Sequence, residues 1–302
     1  MKQYNDLSPE ESRVILNKWT EPAFSGEYYD NHDNGVYLCR QCNTPLYVSD
    51  DKFDSRCGWP SFDQAIPGRV TMTSDADGHR TEITCTTCGG HLWHVFIGEQ
   101  MTEANTRHCV NSLSMKFVPQ DKLGEKWVSI PHYHSVIVGW GCFWCIEGAM
   151  SRVPGVIECI SWYAWWPRPN PSYEQVCTWS SGHIEVVKIW YDKSIIWLEE
   201  VLSYFMAIHD PSSMDKQWWD AGKQYRSVII ANSPDQLHAI QEFITKLDAS
   251  WVYDSPIVTQ IMESQKFWIA EWYHQNFYTN NPDKPYCQMV VKPKLEKIIK
   301  LT

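Results

Sequence analysis

No uninterrupted apolar run in this chain of 302 residues reaches the ~18 residues a membrane-spanning helix needs, so no membrane partner is expected. Residues 1–16 carry charged and polar side chains throughout. No secretory leader is read there, and a soluble, cytoplasmic protein is expected. Positive charge is also short. Against 36 Asp and Glu there are 26 Lys and Arg, a net charge of −10, which argues against nucleic acid as the main partner. Internal repeats and low-complexity tracts are lacking too. What remains is globular: 43% hydrophobic and 21% charged residues, in a length that suits two ordinary domains. The 11 cysteines are an odd number in a long chain, which fits metal ligands plus redox thiols better than a fully paired disulfide framework.

The texture changes along the chain. Residues 1–118 read as one mostly-β unit. Ser8, Pro9 and Glu11 open a helix with a capping box. Short runs bounded by turn residues then read as strands: Val36 to Leu38, Leu46 to Val48 and Arg80 to Ile83. Residues 119–133 are expected to be a linker. Residues 134–302 alternate strands and helices, with strands at 136–138, 184–191 and 227–231 and helices at 142–153, 198–208 and 234–247, the last capped by Ser233. This alternation predicts an α/β sandwich. The basic C-terminal stretch with Lys284 and residues 292–300 reads as a solvated tail.

Cys39 with Cys42 and Cys85 with Cys88 form two C-x-x-C pairs. Two tight turns of this kind can build a four-thiolate cage for structural zinc. The other reading of these pairs is two redox couples or buried thiols. In the second half, Cys142 follows an apolar strand and opens a helix. Unpaired backbone amides there favour its thiolate. Cys145 completes a further C-x-x-C with it, a possible second resolving route; Cys159 and Cys177 read as structural thiols.

The motifs occur together and in order. Phe24 to Tyr29, Asp54 to Phe62 with Cys57 and Trp59, Gly90 to Phe96, and Thr106 to Ser112 resemble methionine sulfoxide reductase B over residues 4–117. Gly141 to Trp144, Asn170 to Cys177, Gly182 to Val187, His209 to Pro211, Gly222 to Ser227 and Tyr273 to Gln275 resemble methionine sulfoxide reductase A over 135–290. The resemblance implies a fusion of a zinc-containing, mostly-β B-type fold with a ferredoxin-like α/β sandwich of the A type. It implies reduction of the R and S epimers of methionine sulfoxide, free or in oxidised proteins, with recycling by a thioredoxin-like reductant. In the first half it makes Cys109 the nucleophile and Cys57 the resolving thiol. His91, His94 and Asn111 would hold and protonate the sulfoxide oxygen, and Trp59 would wall the methyl group. Gly98 stands near where some relatives place an acid. In the second half it makes Cys142 the nucleophile and Glu185 the proton donor. Tyr173, Asp220 and Tyr225 would hold the oxygen, Phe143 and Trp144 would pocket the methyl, and Cys287 on a mobile tail would resolve. Two other readings use the same residues: a zinc-stabilised thiol redox sensor, and a general disulfide oxidoreductase built on Cys142 and Cys145.

Tryptophan is abundant, with 17 residues. Trp59 and Trp144 match the resemblance. Trp19, Trp93, Trp140, Trp162, Trp165, Trp166, Trp179 and Trp218 stand where glycine is expected, although glycine permits φ > 0 and close approach while tryptophan adds a bulky ring. One reading is a gene that uses UGA for glycine, translated as if UGA meant tryptophan. The other is an aromatic-rich homologue in which Trp140, Trp165, Trp166 and Trp218 crowd the second pocket.

Overall fold

The computed structural model describes residues 4–75, 80–102, 104–124, 133–164, 171–176, 182–217, 220–263 and 267–302, without the side chains of 217, 220 and 221. Trp165, Trp166, Trp179, Trp218 and Cys177 lie outside the described residues. The chain divides into two compact units, Met1–Pro131 and His132–Thr302.

The first unit begins with α1 (Pro9–Ile15). Ser8 accepts from the Glu11 amide at 3.2 Å and Glu11 accepts from the Ser8 amide at 2.8 Å, the expected reciprocal cap. Among the described residues nine strands follow: β1 (Gly35–Cys39), β2 (Pro45–Val48), β3 (Lys52–Phe53), β4 (Ser61–Phe62), β5 (Val70–Ser74), β6 (Thr81–Cys85), β7 (His91–Ile97), β8 (Thr106–Val110) and β9 (Met115–Pro119). They form a three-stranded sheet, β2-β1-β9, and a six-stranded sheet, β3-β4-β8-β7-β6-β5. The inner faces share a core of Tyr37, Leu46, Tyr47, Phe62, Ile83 and Leu92, with Tyr47 stacked on Phe62 at 4.3 Å. The segment expected as a linker starts folded. Residues Gln120–Lys122 make a 3-10 turn, and Leu123 is buried against Val36, Leu38 and Val118.

The second unit carries β10 (His134–Gly139), α2 (Phe143–Met150), β11 (Val156–Ala164), α3 (Tyr173–Val176), β12 (Ile184–Tyr191), α4 (Leu198–Ala207), β13 (Lys216–Gln217), β14 (Asp220–Ala221), β15 (Val228–Ala231), α5 (Pro234–Ala249), β16 (Gln260–Glu263), β17 (Phe267–Ile269), α6 (Phe277–Asn280) and α7 (Lys292–Leu301). Its main sheet runs β16-β15-β10-β12-β11-β17, antiparallel except for the β15–β16 pair. Strand alternation sets the layers. Val136, Val138, Cys159, Tyr163, Val187 and Ile189 face the helices, while Ile137, Ala164, Ile184 and Val186 form a smaller cluster on the other side. Glu185 shares the parity of Val187 and Ile189 and is therefore directed into the helix-covered face.

The C-terminal stretch is not a solvated tail. Cys287–Val291 forms a π-helical turn that runs into α7, and α7 buries Leu295 and Ile298. The pattern Val291, Leu295, Ile298 has helical spacing and packs among the residues of α2. Lys292, Lys297 and Lys300 are exposed and Lys294 is half-buried, so charge and burial coexist on one helix. Cys287 itself is 0% exposed in this helical turn, a correction to the expectation that it lies on a mobile tail.

Candidate functional site

In the first unit one line of register crosses the larger sheet. Glu82 on β6 pairs with His94 on β7, His94 with Cys109 on β8, and Cys109 with Ser61 on β4. Directly opposed residues of antiparallel strands present side chains to the same face, so a carboxylate, an imidazole, a thiol and a hydroxyl are aligned. Cys57 joins them from the loop before β4, its sulfur 3.3 Å from that of Cys109.

His91 would fall on the opposite face from His94 in a regular strand, because the two are three positions apart. A bulge changes this. Ile83 pairs with Trp93 but Thr84 pairs with His91, leaving Leu92 unmatched. The two imidazoles consequently stand 6.1 Å apart. The bulge is made at Trp93, whose φ of +149° belongs to the region that favours glycine. The carbonyl of Leu92, freed from the ladder, accepts from the Asn111 backbone amide at 2.9 Å and from its Nδ2 at 3.1 Å. Asn111 Oδ1 accepts from the Glu21 amide at 3.1 Å. The Asn111 side chain is thus engaged by backbone, holding the bulge and the 21–22 segment together. Trp59 donates its indole N–H to the Glu21 carbonyl at 3.1 Å, and its ring packs on Trp93 at 4.4 Å.

The two histidines are held by carboxylates that sequence reasoning missed. Glu82 bonds His91 Nδ1 at 2.7 Å and Lys18 Nζ at 2.7 Å; Asp75 bonds His94 Nε2 at 2.7 Å. Burial opposes ionisation of Glu82, but Lys18 and His91 outweigh it and hold its carboxyl below the usual value. Burial lowers His91 despite Glu82. Between the sulfurs, the hydrogen bond from Cys109, with those of Ser55 and Ser61, holds Cys57 down to about 4, against burial. Burial and the neighbouring Cys57 push Cys109 well up, opposed by the Arg107 guanidinium, which Glu99 clamps at 2.7 and 2.8 Å. The resting pair therefore shares one proton, with the charge favoured on Cys57.

Apart from this face, Cys39, Cys42, Cys85 and Cys88 bring their sulfurs within 4.8 Å of one another. Cys39 and Cys88 are 3.6 Å apart, as are Cys42 and Cys85. Tetrahedral zinc with Zn–S bonds of ~2.3 Å spaces its sulfurs by about 3.8 Å, so the four thiols fit such an ion.

In the second unit Cys142 is the N-cap of α2, after β10. Glu185 on β12 accepts from the Phe143 amide at 3.0 Å. This amide is one of those expected to favour the Cys142 thiolate. Burial, the Cys145 thiol and the charge of Glu185 instead push the Cys142 thiol up. Phe143 packs 5.8 Å from Tyr163 and 5.1 Å from His274. Trp144 stacks on Phe277 at 3.6 Å and donates to His274 Nδ1 at 3.2 Å. Tyr173 lies 4.6 Å from the His274 ring, and the Tyr225 carbonyl accepts from Gly141 at 3.0 Å, next to Cys142. Asp220 lies in β14, with its side chain outside the described residues. Glu271, not singled out from sequence, takes the Tyr173 amide at 3.0 Å and the Tyr163 hydroxyl at 2.8 Å. Glu147 is another missed carboxylate. Burial raises it to about 7, and it accepts from the Asn276 and Phe277 amides, tying α6 to α2. Neither acid has a sequence signal beyond lying in or beside a motif.

Comparison with known proteins agrees with both units. A family model described as peptide methionine sulfoxide reductase matches residues 134–302, and one described as SelR domain matches residues 7–119. Peptide methionine sulfoxide reductase MsrA of Chromobacterium violaceum is 43% identical over 162 residues, 54% of this chain and 92% of that protein. The protein of that name from a Nitratiruptor species is 47% identical over 167 residues, 55% of this chain and 95% of that protein. Among solved structures, reduced Mxr1 from Saccharomyces cerevisiae aligns with a TM-score of 0.48 and 29% identity, over 51% of this chain and 89% of that one.

Proposed function

The chain belongs to the peptide methionine sulfoxide reductase family and joins this A-type unit to a B-type SelR domain that precedes it, and we propose that the two units divide the R and S epimers of methionine sulfoxide between them. The alignment of Glu82, His94, Cys109 and Ser61, with Cys57 at 3.3 Å, carries the reading for the first unit. A sulfoxide sulfur is electrophilic, and its oxygen leaves only when protonated. Cys109 attacks the sulfur after passing its proton to Cys57, with Arg107 favouring the new thiolate. His94 and His91, oriented by Asp75 and Glu82, protonate the oxygen. The S–O bond breaks and the oxygen leaves as water; a water then attacks the Cys109 sulfur, the bond between Cys109 and the substrate sulfur breaks, methionine leaves as the thioether, and Cys109 remains as a sulfenic acid with one proton released. Cys57 then displaces water to form the disulfide. Asn111 acts as a positioning residue, and Trp59 walls the methyl group.

In the second unit Cys142 attacks and Glu185 supplies the proton. Once Glu185 is protonated, one of the charges that raise the Cys142 thiol is gone, so acid and nucleophile are made ready together. Tyr173, Tyr225 and Asp220 hold the oxygen, and Phe143 and Trp144 enclose the methyl. Cys287 belongs to the resolving chemistry. A thioredoxin-like dithiol reduces both disulfides, with methionine sulfoxide free or in oxidised proteins as substrate. Zinc on Cys39, Cys42, Cys85 and Cys88 would supply cross-linking of the turns after β1 and β6, not chemistry.

The test is turnover of each purified epimer by the full chain with a dithiol reductant. Reduction of both is expected. Reduction of one epimer alone would remove the division of labour.

A further inference from the structure

Cys145 has no part in the scheme above, yet it is one of the most elaborately served thiols in the molecule. It occupies N3 of α2, three residues after the N-cap Cys142, and its amide closes the turn onto the Cys142 carbonyl at 3.0 Å. Lys294 Nζ of α7 lies 3.1 Å from the Cys145 sulfur, and the Tyr286 hydroxyl lies 3.8 Å from it. Cys145 is 0% exposed and Lys294 is half-buried, so the lysine reaches from the surface of α7 to a buried sulfur.

We propose that Cys145 is the first thiol to resolve the Cys142 sulfenic acid, forming an intrahelical Cys142–Cys145 disulfide that Cys287 then opens. The inference rests on Cys142 being the nucleophile. In the first step the Cys145 thiolate attacks the Cys142 sulfur. The S–S bond forms, the S–OH bond breaks, and hydroxide leaves as water with one proton. In the second step the Cys287 thiolate attacks the Cys145 sulfur. Cys142 leaves as thiolate and regains a proton, and the Cys145–Cys287 disulfide remains for an external dithiol.

The electrostatics order these steps. The Cys142 thiol, against burial, and then the Lys294 charge hold the Cys145 thiol below its ordinary value, and the lysine, 3.1 Å from the sulfur, stays beside it once Cys142 is oxidised. A lowered thiol carries more thiolate at neutral pH, and the thiolate is the form that attacks a sulfenic sulfur. Cys287 is held up by burial and by the charge of Cys145. Consuming Cys145 in a disulfide removes that charge. Cys287 becomes the better thiolate only when there is a disulfide for it to open.

The experiment is a single turnover of the full-length Cys287→Ser variant with the S epimer of free methionine sulfoxide and dimedone, without reductant, followed by peptide mapping. One methionine per chain, a Cys142–Cys145 cross-linked peptide and no dimedone adduct on Cys142 are expected. The Cys145→Ala, Cys287→Ser double variant is expected to form the methionine and to carry the adduct. A dimedone adduct on Cys142 and a free Cys145 in the single variant would overturn the proposal. Absence of methionine in both would instead overturn Cys142 as nucleophile, and the proposal with it. Lys294→Met provides an independent readout: cross-linking should shift to higher pH, by the loss of the cation beside Cys145. An unmoved pH profile counts against the role of the lysine as drawn here.

Discussion

The sulfurs of Cys57 and Cys109 meet at 3.3 Å although 52 positions separate them in the chain. The pair titrates as a unit. Cys57 falls to about 4 because Cys109 donates to it. Replacing Cys109 with alanine removes that donor, and Cys57 should return toward the ordinary 9.0. The pH dependence of alkylation of Cys57 reads this directly. The sign for stability follows. A depressed thiol contributes stability that is complete above the ordinary value and is lost as pH falls through the folded one. The first unit should therefore weaken between about pH 9 and pH 4, and the Cys109→Ala variant should lose that part of the slope in denaturant unfolding.

His94 faces Cys109 across β7 and β8, with Asp75 behind it. General acid–base groups contribute about 10²–10⁴-fold to rate. His94→Ala is expected to cut reduction of the R epimer by about 10²-fold or more and to leave the S epimer untouched. Steady-state rates with each epimer check this. An equal loss for both would mean that the substitution disturbs more than its own site.

The four-thiol cage should bind one zinc per chain, measurable by elemental analysis. Structural zinc supplies about 10–16 kcal/mol of binding free energy to small domains. Cys42→Ser, or a strong chelator, should therefore lower the melting transition of the first unit and abolish R-epimer reduction. S-epimer reduction at temperatures below the second transition should persist. Unchanged melting after complete zinc removal would contradict a structural role.

Much of this arrangement was legible in the sequence, and the reasons are local. The capping box at Ser8 and the N-cap at Ser233 are signals carried by a few adjacent residues, and both helices start there. Cysteine spacing disclosed the cage, and the run from Gly141 to Trp144 placed Cys142 at a helix start. What stayed hidden depends on pairing between distant strands. Glu82 and Asp75 look like ordinary surface acids until register sets Glu82 opposite His94. The nine residues of β11 carry no clear strand signal, because Glu158, Ser161 and Trp162 interrupt its apolar pattern. Nor did spacing announce Lys294 as the partner of Cys145, 149 positions earlier. In the basic C-terminus the run of lysines masks the buried stripe of Val291, Leu295 and Ile298.

Trp93 has φ +149° at the bulge, and Trp251, 87% exposed, has φ +57° just after α5, where helices commonly end in glycine. The indole N–H groups of Trp140 and Trp162 are buried without a hydrogen-bond partner among the described residues. A strained φ of this kind costs about 1–3 kcal/mol. Trp93→Gly is expected to recover stability of about that size and to raise R-epimer reduction by uncovering the face of Trp59. Reading the gene provides a second check. UGA codons at Trp93 and Trp251, with UGG at Trp59 and Trp144, would fit glycine as the natural residue; UGG at all four would not.

The most direct measurement is the reduction of each methionine sulfoxide epimer by Cys109→Ser and Cys142→Ser variants of the full chain. Cys109→Ser should lose the R epimer and keep the S, and Cys142→Ser should do the reverse. Undiminished reduction of the R form by the first variant, or of the S form by the second, would contradict the account.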